Sequence, residues 1–178
     1  MAEHGFEFLT RRRLLGLGVA GVSTLVLGSS VGSLLAGAPP VQGLRVLDAR
    51  EYRTLDLLAK TLLPSGGPFE LGAERFDLAR AFDGFLSREP AENAKKLRQA
   101  LLLFELGPLL FERRFTSFSR LSPEERSRHY EAWATSETLL RRQVAIAFRK
   151  FMALVFYDQP EVWPHVGYPG PSLARLGK

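Results

Sequence analysis

The sequence predicts an all-α domain behind an N-terminal export segment, and three observations carry that prediction. Apolar residues recur at three- and four-residue intervals through most of the chain after residue 47. Helix starts and stops punctuate those runs, at Asp48–Glu51, Pro64, Pro90 and Ser122-Pro123-Glu124-Glu125. No stretch shows sustained two-residue alternation closed by a hairpin turn. The expected architecture is one compact bundle of about five helices, ending in an aromatic loop rich in proline and glycine.

The first element is the segment 1–38. Thr10-Arg11-Arg12-Arg13-Leu14-Leu15 is a tight basic cluster, and no charged residue follows until Arg45. Three adjacent arginines resist entry into hydrocarbon, so the apolar run inserts behind them with the cluster left on the cytoplasmic side. The pattern resembles a twin-arginine signal, with Arg11 and Arg12 as the pair, Leu14 and Leu15 completing the motif and a Gly-rich apolar run behind it; a general secretory signal is the other reading. Either places the mature chain in the periplasm. Ala36 and Ala38 have the spacing of a signal-peptidase site, but Pro39 restricts the extended backbone that cleavage requires. Residues 14–38 also exceed the roughly 20 apolar residues needed to cross a bilayer, so a retained inner-membrane anchor stands beside removal at Ala38.

Residues 39–47, beginning Pro39-Pro40, read as a short linker. The helical domain then occupies 48–171, and 172–178 form a tail. The first helix opens on Asp48 with a capping box to Glu51 and a staple between Leu47 and Tyr52; it runs to about Leu63, where Pro64 stops it. A turn-rich break leads through Glu70-Leu71-Gly72-Ala73 into a second helix carrying Phe76, Ala79, Phe82 and Leu86. The third starts at Pro90, becomes apolar on almost every side from Ala100 to Phe111, and should be central. Gly107-Pro108 predicts a kink or break in it, because the proline ring clashes with the carbonyl of Phe104. Ser122, Pro123 and Glu125 start a fourth helix reaching about Ala134. A last helix is expected from Ser136 to Phe156, with Leu140, Val144, Phe148, Phe151 and Val155 along one face.

Composition narrows the function classes. The chain has no cysteine, which excludes thiolate zinc sites, cysteine-ligated iron–sulfur clusters and covalently attached c-type haem. Of 24 basic and 19 acidic side chains, Arg11, Arg12, Arg13, Glu3 and Glu7 fall in the signal, leaving 21 and 17, a net of +4. That mild, dispersed excess argues against a nucleic-acid partner.

No dinucleotide loop, P-loop, nucleophile elbow or zinc-binding His pair is found, so no residue is assigned a catalytic or metal-binding role. Glu125 and His129, four apart, read as a solvated helix face rather than a metal site. His165, between prolines, reads as a surface or interface imidazole. Glu105, alone in an apolar stretch, is expected to pair with Arg113 or Arg114, or to be exposed.

The segment from Phe156 to Pro171 is more informative. Its four prolines and two glycines are expected to forbid regular structure, and its rings gain most when buried with their polar atoms satisfied. Two roles are expected: capping the open end of the bundle, and docking a partner, since aromatics on a proline-fixed backbone lose little entropy on binding. Phe148 and Phe151 of the last helix, with Tyr157, Trp163 and Tyr168, are the candidate partner-binding residues.

The order of these parts resembles the gluconate 2-dehydrogenase subunit 3 family. A twin-arginine signal precedes a helical domain with a Leu-Leu-Pro break before Phe69-Glu70-Leu71-Gly72-Ala73. Leu121-Ser122-Pro123-Glu124-Glu125-Arg126 follows, and then a long aromatic helix running into Phe156-Tyr157-Asp158-Gln159-Pro160-Glu161-Val162-Trp163 and Gly167-Tyr168-Pro169-Gly170-Pro171. The resemblance implies a small subunit without cofactor or catalytic residue, beside a flavoprotein of the glucose-methanol-choline type that carries FAD, often with a multihaem cytochrome c. It also implies that the small subunit takes its partner through the twin-arginine translocase and supports that partner's maturation. The chain departs from the family's usual Gly-Tyr-Tyr-Thr-Ser-Glu ending at Val155-Phe156-Tyr157-Asp158-Gln159-Pro160, which marks a divergent branch.

Overall fold

A computed structural model describes residues 38–171. Arg11, Arg12, Leu14, Leu15 and Ala36, read from the sequence as an export signal and its cleavage site, lie outside the described residues, as does the tail 172–178; Ala38 is the first residue described. The described chain is all-helical, with α1 (Ala49–Leu62), α2 (Leu78–Leu86), α3 (Ala91–Glu105), α4 (Gly107–Glu112), α5 (Pro123–Ala134) and α6 (Leu139–Tyr157). Single 3-10 turns stand at Ala73–Arg75, Phe118–Arg120 and Trp163–Val166. No helix among the described residues is long and apolar enough to cross a membrane.

The starts of α1 and α5 are set by local chemistry. Asp48 accepts from the Glu51 amide while Glu51 accepts from the Asp48 amide, and Ser122 and Glu125 repeat the arrangement. Each box satisfies two of the amides that a helix start leaves without partners. The break expected at Gly107-Pro108 is present, and other boundaries differ from expectation. Phe76 is not in α2: its backbone is extended, and Asp77 caps the helix by accepting from the Arg80 amide. The third helix divides at Leu106 into α3 and α4, which gives six helices rather than five. The last helix starts three residues late, at Leu139, where Arg142 donates back to the Ser136 carbonyl. The aromatic loop contains a 3-10 turn, closed by Gly167 at φ 68°, a left-handed conformation that glycine adopts without a Cβ clash.

The centre is α1 rather than the third helix. Leu55 and Leu58 are wholly buried, and α1 packs on α2, α3, α5, α6 and two of the 3-10 turns. Each fully buried leucine of this kind contributes about 2 kcal/mol relative to exposure. α3 instead packs on α1, α4 and the Phe118–Arg120 turn, leaving Leu102 and Leu103 half-buried. Behind α1 lies an aromatic box in which Phe104 meets Phe118, His129, Trp133 and Phe148 at centroid distances of 4.8, 4.9, 4.9 and 5.7 Å.

Candidate partner-docking surface

α6 is apolar on two sides, and only one of them is covered. Leu140, Val144, Ala145, Phe148, Met152, Val155 and Phe156 face the core. Phe148 is 1% exposed and edge-on to Phe104, so as a docking residue it is corrected to a core residue. Phe151 is half-buried beside Phe82 at 5.3 Å and Phe85 at 6.3 Å, where it helps seat α2. Both lie on the inner arc of a helix whose outer arc carries Leu139, Ile146, Leu154 and Tyr157, 41 to 53% exposed. At about 100° per residue, Leu139, Ile146 and Tyr157 fall within about 20° of one line, with Leu154 about 60° to its side. Lys150 is exposed in that same arc and makes no ion pair or hydrogen bond among the described residues.

The C-terminal loop divides its aromatics between the two expected roles. Trp163 is half-buried; its indole donates to the Tyr157 carbonyl at 3.0 Å, and Gly170 passes so close that a Cβ there would lie 3.2 Å from the ring. Val162 is wholly buried, Arg75 pairs with Glu161, and His165, itself exposed, stacks on Phe69 at 5.2 Å. These contacts fasten the loop over the end of the bundle. Tyr168 and Tyr157, at 47 and 48% exposure, remain half open to solvent, although Tyr168 rests edge-on against Trp163 at 5.5 Å and Tyr157 against Phe156 at 5.4 Å.

A second cluster lies where α4 and α5 meet. His129 was expected on a solvated face but is 2% exposed; its Nδ1 pairs with Glu112, and Phe104, Phe118 and Trp133 surround the ring. Burial pulls its pKa below the ordinary value, against the opposing influence of Glu112 and of the Phe104 carbonyl, which Pro108 deprives of its usual helical amide four residues on. Gly107 makes the approach possible: a Cβ there would stand 2.7 Å from His129 Cε1 and 2.9 Å from Trp133 Cζ2. Arg141 of α6 lies over Phe111 at 5.0 Å and Trp133 at 5.4 Å. Glu125, the other half of the sequence pair, stays at the surface and pairs with Arg114.

Two buried carboxylates are explained by neutral donors. Glu105, 2% exposed, pairs with neither Arg113 nor Arg114; it accepts from Thr54 Oγ1 at 3.0 Å, the Ser119 amide at 3.1 Å and Ser119 Oγ at 2.6 Å. Asp83, 1% exposed, accepts from three consecutive amides, Arg45 at 2.7 Å, Val46 at 2.9 Å and Leu47 at 2.8 Å. With Arg80 donating to the Gln42 carbonyl, this binds the linker to α2. Neither partnership had a sequence signal, because each joins residues 14 to 51 apart.

Between α1, α2 and α3 lies a cleft of about 770 Å³ lined by Asp48, Arg50, Glu51, Lys95 and Arg98 among others. Its charges largely satisfy one another. Arg98 donates to both Glu51 oxygens at 2.8 and 2.9 Å, which holds its guanidinium more firmly protonated, and Arg50 pairs with Asp48. The cluster fastens α3 to the start of α1. No group of three or more His, Cys, Asp or Glu side chains suited to a metal ion occurs among the described residues. No protein-family model, curated protein or solved structure matches the chain.

Proposed function

We propose that this chain is the non-catalytic small subunit of a flavin-dependent sugar or alcohol dehydrogenase complex of the glucose-methanol-choline type, exported to the periplasm by the twin-arginine route. In this reading it supplies the export signal for a large subunit that carries FAD and supports that subunit's maturation. A cytochrome c is the natural further partner. The order of sequence parts described above supports the family. The observation that carries the role is the apolar stripe Leu139–Ile146–Leu154–Tyr157, uncovered among the described residues. Large apolar side chains aligned on one face of a helix characterise an interaction site more than a solvated one.

Co-purification tests the reading. A tagged full chain isolated from the cells that make it should bring down a flavoprotein with bound FAD; recovery of the chain alone would favour a free-standing, membrane-anchored binding module. If the partner travels on this signal, changing Arg11 and Arg12 to Lys should strand both proteins in the cytoplasm. Export loss confined to this chain would refute shared transport.

A further inference from the structure

We infer that the outer face of α6 docks an amphipathic helix of the partner that carries a carboxylate opposite Lys150. The inference rests on the partner-subunit reading above and adds the chemistry of the contact. The stripe runs the whole of α6, whose 19 residues extend about 28 Å. α6 contains Arg141, Arg142, Arg149 and Lys150 and no acidic residue. Arg141 is engaged with Phe111 and Trp133, and Arg142 with the carbonyls of Ser136 and Glu137. Arg149 and Lys150 are exposed and unpaired among the described residues.

Lys150 decides the nature of the occupant. It stands one turn from both Ile146 and Leu154, at the middle of the apolar stripe rather than at its margin. A surface that covers those two side chains brings its own groups beside the ammonium, and a carboxylate there turns an unpaired cation into a charge-assisted contact. A second copy placed across a two-fold axis brings the same helix, with basic residues and no carboxylate. The chain's own apolar run, Leu14 to Ala38, is likewise without an acidic residue. A membrane surface suits basic residues flanking an apolar face, whose side chains reach back to the headgroups; Lys150 lies inside the face. A straight helix fits the stripe's length and its three- and four-residue spacing.

The test places a photo-crosslinking amino acid at Ile146 and, separately, at Leu154 in the full chain, in the cells that make it. The adducts are then identified by mass. Both positions should crosslink to one helical segment of the co-purifying flavoprotein, with an Asp or Glu within a turn of the adduct. Lys150→Glu should weaken recovery of the partner at least about tenfold, and exchanging the partner's carboxylate for Lys should restore it. Lys95→Glu, an exposed charge on α3, should leave recovery unchanged. Adducts with phospholipid, with a second copy or with the chain's own N-terminal segment would overturn the inference, as would no adduct at either position. A partner that co-purifies while crosslinking only through Tyr168 would overturn the α6 assignment and leave the subunit reading standing. Failure to recover any flavoprotein would overturn both.

Discussion

Removing the Asp83 carboxylate should release the segment that leads into the helical domain. Its two oxygens hold the amides of Arg45, Val46 and Leu47 at 2.7 to 2.9 Å, and the side chain is 1% exposed. In Asp83→Ala all three donors lose a charged acceptor. Arg45 is exposed and Val46 half-buried, so water can replace the carboxylate for those two at about 1 kcal/mol each. Leu47 is buried, and its orphaned amide costs about 2 kcal/mol. Relief of the buried charge offsets part of this total, leaving a net loss of about 2 to 3 kcal/mol. For a domain of this length that lowers the melting temperature by roughly 10 °C. Thermal unfolding followed by circular dichroism gives the global number. Hydrogen exchange at the three amides gives the local one, and they should lose protection before those of α5 and α6. Asp83→Asn should fall between, because its amide group faces a donor where an oxygen stood. A melting temperature within 2 °C of the parent, with the three amides still protected, would refute the clamp.

Three further outcomes follow from the same geometry. Gly107→Ala should destabilise by about 3 kcal/mol, because its Cβ meets two buried rings that cannot swing aside; a neutral result in urea unfolding would show that α4 can shift away from α5. The lowered pKa of His129 means that the unfolded chain takes up a proton near pH 6.5 before the folded chain does, so the contribution of this residue is fully present above that pH and is lost as pH falls below it. Glu112 on α4 and Arg141 on α6 are the charged groups facing the ring, and the parent should lose stability more steeply than His129→Gln between pH 6.5 and 5; parallel slopes would count against it. In the loop, Trp163→Ala should cost about 2 kcal/mol of stability and, because Tyr168 rests edge-on against that indole at 5.5 Å, should also weaken partner recovery, whereas Tyr168→Ala should weaken recovery with little loss of stability; unchanged recovery in both variants would count against a docking role for the loop.

Local chemistry was legible in the sequence, and long-range partnership was not. The capping boxes at Asp48 and Ser122, the stop before Pro64 and the break at Gly107-Pro108 all depend on residues within four positions of one another. The carboxylates failed for the complementary reason. Glu105 draws its donors from α1 and the Phe118–Arg120 turn, and spacing along the chain carries no information about which hydroxyl folding brings near. His129 was misplaced because α5 is polar along most of its length, and that average hides the narrow face on which His129 and Trp133, four apart, enter the aromatic box. A helix with one buried seam and a solvated remainder gives a weak periodic signal, and its buried residues are then found only by what packs on them.

The docking surface was hidden by the opposite excess. Leu140, Val144, Phe148, Phe151 and Val155 define one face of α6 by their spacing, whereas Leu139, Ile146 and Leu154 carry no mark of their own in the sequence, and only Tyr157 of the outer arc stands among the candidate docking residues. Yet Leu139, Ile146, Leu154 and Tyr157 are explained by neither core packing nor solubility. A helix that is apolar around most of its circumference is a helix to be buried, and this one is covered on only one side among the described residues. In the proposed docking the second face is covered by the partner, whose carboxylate lies opposite Lys150, unpaired among the described residues. The sequence contained both facts, but the core had to be assembled before the surplus was visible.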